Sequence, residues 1–213
     1  MTAHRIIVWR HGRTAWNASG KFQGQADIPL DELGERQAAQ AAEVLAMYRP
    51  AAIIASDLAR ARATAAHLAR LTGLEVSLDK RLREIHVGTW EGLTAAEVAQ
   101  LEPEPARRYF AGEDVRRSDT GETVAEVAER VAAALAEAAA SAEEGSTIVV
   151  VMHGLAARVG ICRLVELPAT HWNRLGGMNN CAWAIVERHH KGGYWRIEEY
   201  NVAGVSERLD PIS

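Results

Sequence analysis

Arg5-Ile6-Ile7-Val8-Trp9-Arg10-His11-Gly12 is the stretch from which the fold is read. Its apolar part is too short for a helix and rich in β-formers, so it predicts a buried strand over 5–9. The chain leaves that strand through a histidine set between Arg10 and Arg13, with Gly12 beside it. Ligands of open α/β sheets bind beyond the carboxyl ends of strands. The exit therefore proposes a nucleophile or base next to an anion. Far along the chain, Thr147-Ile148-Val149-Val150-Val151-Met152 is the strongest strand signal, and it ends in a similar way, in His153-Gly154. If both strands are central, both histidines stand at one sheet edge and face one ligand.

Between these two strands the pattern alternates. A loop over 14–30 ends in Ile28-Pro29-Leu30, and Asp31 caps a helix running to about residue 48. A second strand over 51–55 feeds a helix over 58–71, which Gly73 closes, and 76–78 is a short strand. The segment 81–92 has no clean period and reads as loop. Thr94 and Thr123 each stand three residues before a glutamate, the signature of a capping box, and the second opens the longest helix. Pro103, Pro105 and the charged residues 107–119 read as the least regular part. A helix over 156–165 follows His153, and strands near 182–187 and 195–200 flank Lys191-Gly192-Gly193 as a hairpin. Alternating strands and helices imply an α/β sandwich with a mostly parallel central sheet, the hairpin adding an antiparallel element. The whole chain, 1–213, reads as a single domain.

The composition narrows the function classes. With 213 residues, 48% hydrophobic, a sizeable core is available. A formal charge of -4 argues against nucleic acid as partner, although a local cationic pocket for a small anion need not show in the total. No apolar run approaches a membrane span. Two cysteines, Cys162 and Cys181, without a paired spacing read as free thiols of a cytoplasmic protein.

Taken together, Arg10-His11-Gly12, the Ser-x-x-x-Arg-Ala-x-x-Thr-Ala run at 56–65, Leu82-x-Glu84 with Gly88-x-Trp90-Glu91-Gly92, and His153-Gly154 resemble the histidine phosphatase superfamily, in the branch that includes phosphoglycerate mutases. The resemblance implies a three-layer α/β/α sandwich of the phosphoglycerate mutase-like kind. It implies His11 as a nucleophile transiently phosphorylated, neutral at the attacking nitrogen with its other N–H held by an acceptor. Arg10 and Arg60 would clamp the phosphoryl oxygens, with His153 as a third donor and a candidate cation. Glu84 would be the general acid, with Trp90 as an apolar neighbour that desolvates it. Asn17, Gln23, Gly24 and the amides near Leu155 would contact the substrate. Neither metal nor cofactor is implied, since the arginines supply the charge.

Phosphoglycerate mutases of the superfamily carry a longer insertion between the acid and the second histidine, and only a short segment stands here. Phe22-Gln23-Gly24-Gln25-x-Asp27 also resembles the phosphatases, so water is the expected acceptor. Within them, Leu175-Gly176-Gly177-Met178-x-Asn180 and the Glu84 region resemble the glucosyl-3-phosphoglycerate phosphatases, which implies a small phosphoester substrate and a homodimer. Leu155 departs from the family's usual His-Gly-Gly and puts specificity in question. The alternatives are a phosphoglycerate mutase and an inactive module that binds a phospho-ligand. His4, His67, His86, His171 and the pair His189-His190 read as surface residues rather than ligands, and Arg107, Arg108, Arg116 and Arg117 as a solvated face.

Overall fold

The computed structural model describes residues 2–204. Six strands, β1 (Arg5–Arg10), β2 (Ala52–Ala55), β3 (Val76–Leu78), β4 (Thr147–Met152), β5 (Trp183–Arg188) and β6 (Trp195–Val202), form one sheet in the order β3-β2-β4-β1-β5-β6. The first four in that order are parallel, and β5 and β6 add the antiparallel hairpin. β1 and β4 are adjacent and in register from Arg5 opposite Thr147 to Arg10 opposite Met152. Their two strand-end histidines therefore leave the sheet side by side.

Among the described residues seven α-helices accompany the strands: α1 (Ala15–Ala18), α2 (Glu32–Ala46), α3 (Ala59–Thr72), α4 (Ala95–Leu101), α5 (Pro103–Phe110), α6 (Val124–Ser141) and α7 (Gly154–Leu164). Side chains alternate across a strand, and the two central strands divide accordingly. Ile6, Val8, Ile148, Val150 and Met152 pack with Val127, Val131 and Leu135 of α6 and Ile161 of α7. Ile7, Trp9, Val149 and Val151 pack on the other face with Ala38, Ala42 and Leu45 of α2 and Ala61, Ala65 and Leu68 of α3. Both strands read as unbroken apolar runs because both of their faces are covered, which gives the three expected layers. The helix ends follow the sequence: Thr94 and Thr123 form capping boxes, and Gly73 takes the left-handed conformation that closes α3.

Two stretches expected to be irregular are helical. Pro103 and Pro105 lie in the first turn of α5, where backbone N–H groups have no partner within the helix, so proline costs no hydrogen bond there. Thr14 caps the four-residue α1, with Asn17 in place of the usual Glu or Gln of a capping box. The 81–92 segment is ordered by side chains rather than by a ladder. Arg130 of α6 donates to the carbonyls of Arg81, Arg83 and Glu84 and forks onto Glu122, which in turn accepts from the His86 amide. Cys162 and Cys181 are both buried, and neither is in a disulfide among the described residues. No helix among the described residues is long and apolar enough to cross a membrane.

Candidate active site

At the end of β1 the chain turns onto α2, and the turn needs two glycines. A Cβ on Gly12 would strike the Gly34 carbonyl, and one on Gly34 would strike Arg13. The Gly12 amide donates to Thr64 Oγ1 of α3 at 3.1 Å. So fixed, the His11 ring places Nδ1 2.7 Å from the Gly12 carbonyl oxygen. A carbonyl only accepts, so Nδ1 carries the proton and Nε2 keeps its lone pair. Burial and the nearby charges of Arg10 and Arg60 hold the imidazole well below histidine's usual 6.5. The ring is neutral and nucleophilic at Nε2, as the attacking role requires.

His153 lies beside it, with ring centroids 5.1 Å apart. Arg60 Nε donates to His153 Nδ1 at 3.2 Å, so Nε2 is the protonated nitrogen, and it meets Ser56 Oγ at 2.9 Å. Burial first, then the Arg60 charge, depresses its pKa well below the usual value. In the free site the His153 ring is thus neutral, and both of its nitrogens are engaged by protein groups.

Arg60 is fully buried near the start of α3. Besides His153 it donates to the carbonyls of Ala26 at 2.7 Å and Gly24 at 2.9 Å. These three bonds leave two of the five guanidinium N–H groups for an anion. Burial lowers its pKa to about 10, so it stays charged at neutral pH. Arg10 donates to the Met178 carbonyl, and its buried Nε has no partner among the described residues. Its guanidinium lies against Gly154, where a Cβ would stand 3.2 Å from Nε. Glycine after His153 therefore makes room for the arginine.

Glu84 comes to this edge from the 81–92 segment. Its carboxylate accepts from the Leu155 and Ala156 amides at 3.1 and 3.0 Å, at the start of α7, and from its own neighbour Ile85 at 2.9 Å. His11, Arg10, Arg60 and Glu84 line one cavity of about 230 Å³, together with Asn17, Gln23, Gly24 and Leu155. Asn17 Oδ1 accepts from the Thr14 amide and from Asn180 Nδ2, which leaves the Asn17 amide nitrogen to donate to a ligand. Gln23 Oε1 accepts from Thr14 Oγ1 at 3.0 Å. The Gly24 carbonyl is spent on Arg60, and its φ of +51° with Val87 and Glu91 close by leaves no room for a side chain.

Three expectations change. Trp90 is not in the cavity lining but buried with Phe22 and Tyr109, ring centroids 5.7 Å away in each case. Leu155 sits in the first turn of α7 with its amide on Glu84, so the residue alters the cavity wall rather than a phosphate-binding amide. Of the four arginines read as a solvated face, Arg107, Arg108 and Arg116 form surface ion pairs, but Arg117 is 4% exposed and lines the cavity. It lies 4.5 Å from the centre of the Tyr109 ring. Ser56, Thr64, Asn180 and Arg130, whose roles the sequence does not signal, hold the site from behind. The first three fall inside motifs that the resemblance rests on; Arg130 carries no local signal.

A family model described as the histidine phosphatase superfamily (branch 1) matches residues 6–203. The chain belongs to the histidine phosphatase superfamily, and it is a phosphatase of that superfamily. Among its relatives is a glucosyl-3-phosphoglycerate phosphatase of Mycobacterium tuberculosis, 38% identical over 95% of this chain and 96% of the relative. A probable phosphoglycerate mutase of Photorhabdus laumondii is 35% identical over 97% and 95%. A solved mycobacterial glucosyl-3-phosphoglycerate phosphatase in complex with VO3 superposes with a TM-score of 0.86 at 38% identity, covering 94% of this chain and all of that one. A phosphoserine phosphatase of Entamoeba histolytica, solved with 3-phosphoglyceric acid, gives 0.82 at 30% identity, covering 93% and 97%.

Proposed function

We propose that the chain hydrolyses a small phosphomonoester through a phosphohistidine at His11. The observation that carries this reading is a buried imidazole with a free Nε2 lone pair, set in one cavity with two arginines and a carboxylate. Nε2 attacks phosphorus as the bond from phosphorus to the ester oxygen breaks, and Glu84 delivers the proton that the departing alkoxide needs. Glu84 then takes a proton from water as the water oxygen attacks phosphorus and the P–N bond breaks, which releases phosphate and returns the lone pair to His11 Nε2. Arg10, through its unpartnered Nε, and the two spare N–H groups of Arg60 meet the charge that gathers on the phosphoryl oxygens. Asn17 and Gln23 add neutral contacts. His153 acts through Arg60 as a positioning residue, its two hydrogen bonds tying α3 to the end of β4. With charge supplied by arginines, turnover persists in EDTA.

The relatives support a glucosyl-3-phosphoglycerate, or a phosphorylated hydroxyacid like it, as the substrate. A cytoplasmic location and a homodimer complete the proposal. The relative named as a probable mutase supports a second reading, in which a phosphorylated acceptor replaces water. Specificity constants over a panel of phosphorylated metabolites that includes glucosyl-3-phosphoglycerate test the assignment. The same preparation supplied with 3-phosphoglycerate and 2,3-bisphosphoglycerate should release phosphate rather than form the 2-isomer. Isomerisation faster than phosphate release would favour the mutase.

A further inference from the structure

A second cavity, of about 390 Å³, adjoins the first, and Tyr109, Arg117 and Leu155 line both. The catalytic cavity, about 230 Å³, has room for a phosphoryl group and a short stem. Pockets that enclose larger organic ligands span roughly 300–1,000 Å³, a range the pair reaches together. The walls of the second cavity suit a hydroxyl-rich ligand: Phe110 and Trp172 offer apolar faces, Asn173 an amide and Arg158 a guanidinium.

The acids there are already engaged. Asp114 accepts from the Val124 and Ala125 amides at the start of α6, and Glu113 pairs with Arg108. The two arginines form no ion pair among the described residues. Among those same residues Arg158 has a single long hydrogen bond of 3.4 Å to the Leu175 carbonyl, and a buried Nε without a partner. Arg117, in the shared wall, donates to the Val115 carbonyl and otherwise rests on the Tyr109 ring. A half-buried guanidinium without an ion-pair partner, as Arg158 is, gains a partner in a carboxylate.

We propose that the second cavity holds the alcohol part of the substrate, and that Arg158 recognises a carboxylate on it. The proposal rests on the phosphatase reading of the neighbouring site. Two ratios of kcat/KM test it: 3-phosphoglycerate over glycerol 3-phosphate, which differ by the carboxylate, and glucosyl-3-phosphoglycerate over para-nitrophenyl phosphate, which differ in the bulk of the alcohol. Arg158→Met should shrink the first ratio by about tenfold or more, with Arg158→Lys recovering part of it. Ala169→Trp, at an exposed position lining the second cavity, should shrink the second ratio by about tenfold while leaving the fold intact. Ratios that stay within about twofold of wild type in Arg158→Met and Ala169→Trp would overturn the proposal, with the phosphatase reading still standing. A wild-type protein that fails to turn over para-nitrophenyl phosphate would instead remove the phosphatase reading and this inference with it.

Discussion

The ends of β1 and β4 carry similar residues, a histidine followed by a glycine, on neighbouring strands in register. They are wired differently. At the end of β1 the ring gives one nitrogen to the next carbonyl and keeps the other for chemistry. At the end of β4 the ring spends both nitrogens on Arg60 and Ser56. The glycines differ as well: Gly12 lets the chain pass Gly34, whereas Gly154 admits the Arg10 guanidinium. Two copies of one pattern thus do separate work, and the difference lies in the partners each ring meets across the fold.

The largest expected effect breaks the comparison at its first member. His11→Ala should lower kcat by about 10⁴-fold or more with an unchanged circular dichroism spectrum, because no other group offers a lone pair in that position. Activity kept within tenfold would end the covalent account. Arg60→Met removes the bonds to His153, Gly24 and Ala26 at once. It should cost about 10²–10³ in kcat/KM. It should also lower Tm, since buried carbonyls lose their donor. Loss of activity without any loss of stability would show that the arginine serves the ligand alone.

Glu84→Gln sharpens the account of the second step. The loss should be about 10²-fold on an alkyl phosphate and smaller on para-nitrophenyl phosphate, whose leaving group needs a proton less. Equal losses on the two substrates would count against the acid. A milder effect concerns pH. Both histidines have pKa values depressed by burial and by arginine charge, so the unfolded chain binds protons that the folded site refuses. Stability from this source is complete above histidine's usual 6.5 and falls as the pH drops below it towards the depressed values. His153→Asn should therefore flatten the acid fall of Tm, and a curve parallel to wild type would contradict the neutral assignment. The smallest effect is expected of Ser56→Ala, about 1 kcal/mol of stability, read by urea unfolding.

Much of this was legible in the sequence because the informative signals are local. Two short apolar runs with covered faces gave the centre of the sheet, and the threonine caps gave the starts of α4 and α6. The residues of the cavity were visible because the resemblance fixes them by spacing. What stayed hidden depends on long-range contacts. The tautomer of His153 is set by Arg60, 93 positions away. The buried Arg117 shares its stretch of sequence with three arginines that pair on the surface, and nothing local separates them. Arg130 orders the Glu84 segment through carbonyls, which every residue possesses and no motif records.

The account turns on which of the two neighbouring imidazoles carries the phosphate. Wild-type enzyme mixed with para-nitrophenyl phosphate, quenched in base within milliseconds and digested for mass spectrometry with electron-transfer fragmentation, reads this directly. The phosphate is predicted on the peptide that contains His11, and still there in His153→Asn. Label on His153, or a wild-type enzyme that turns over with no labelled histidine, would contradict it.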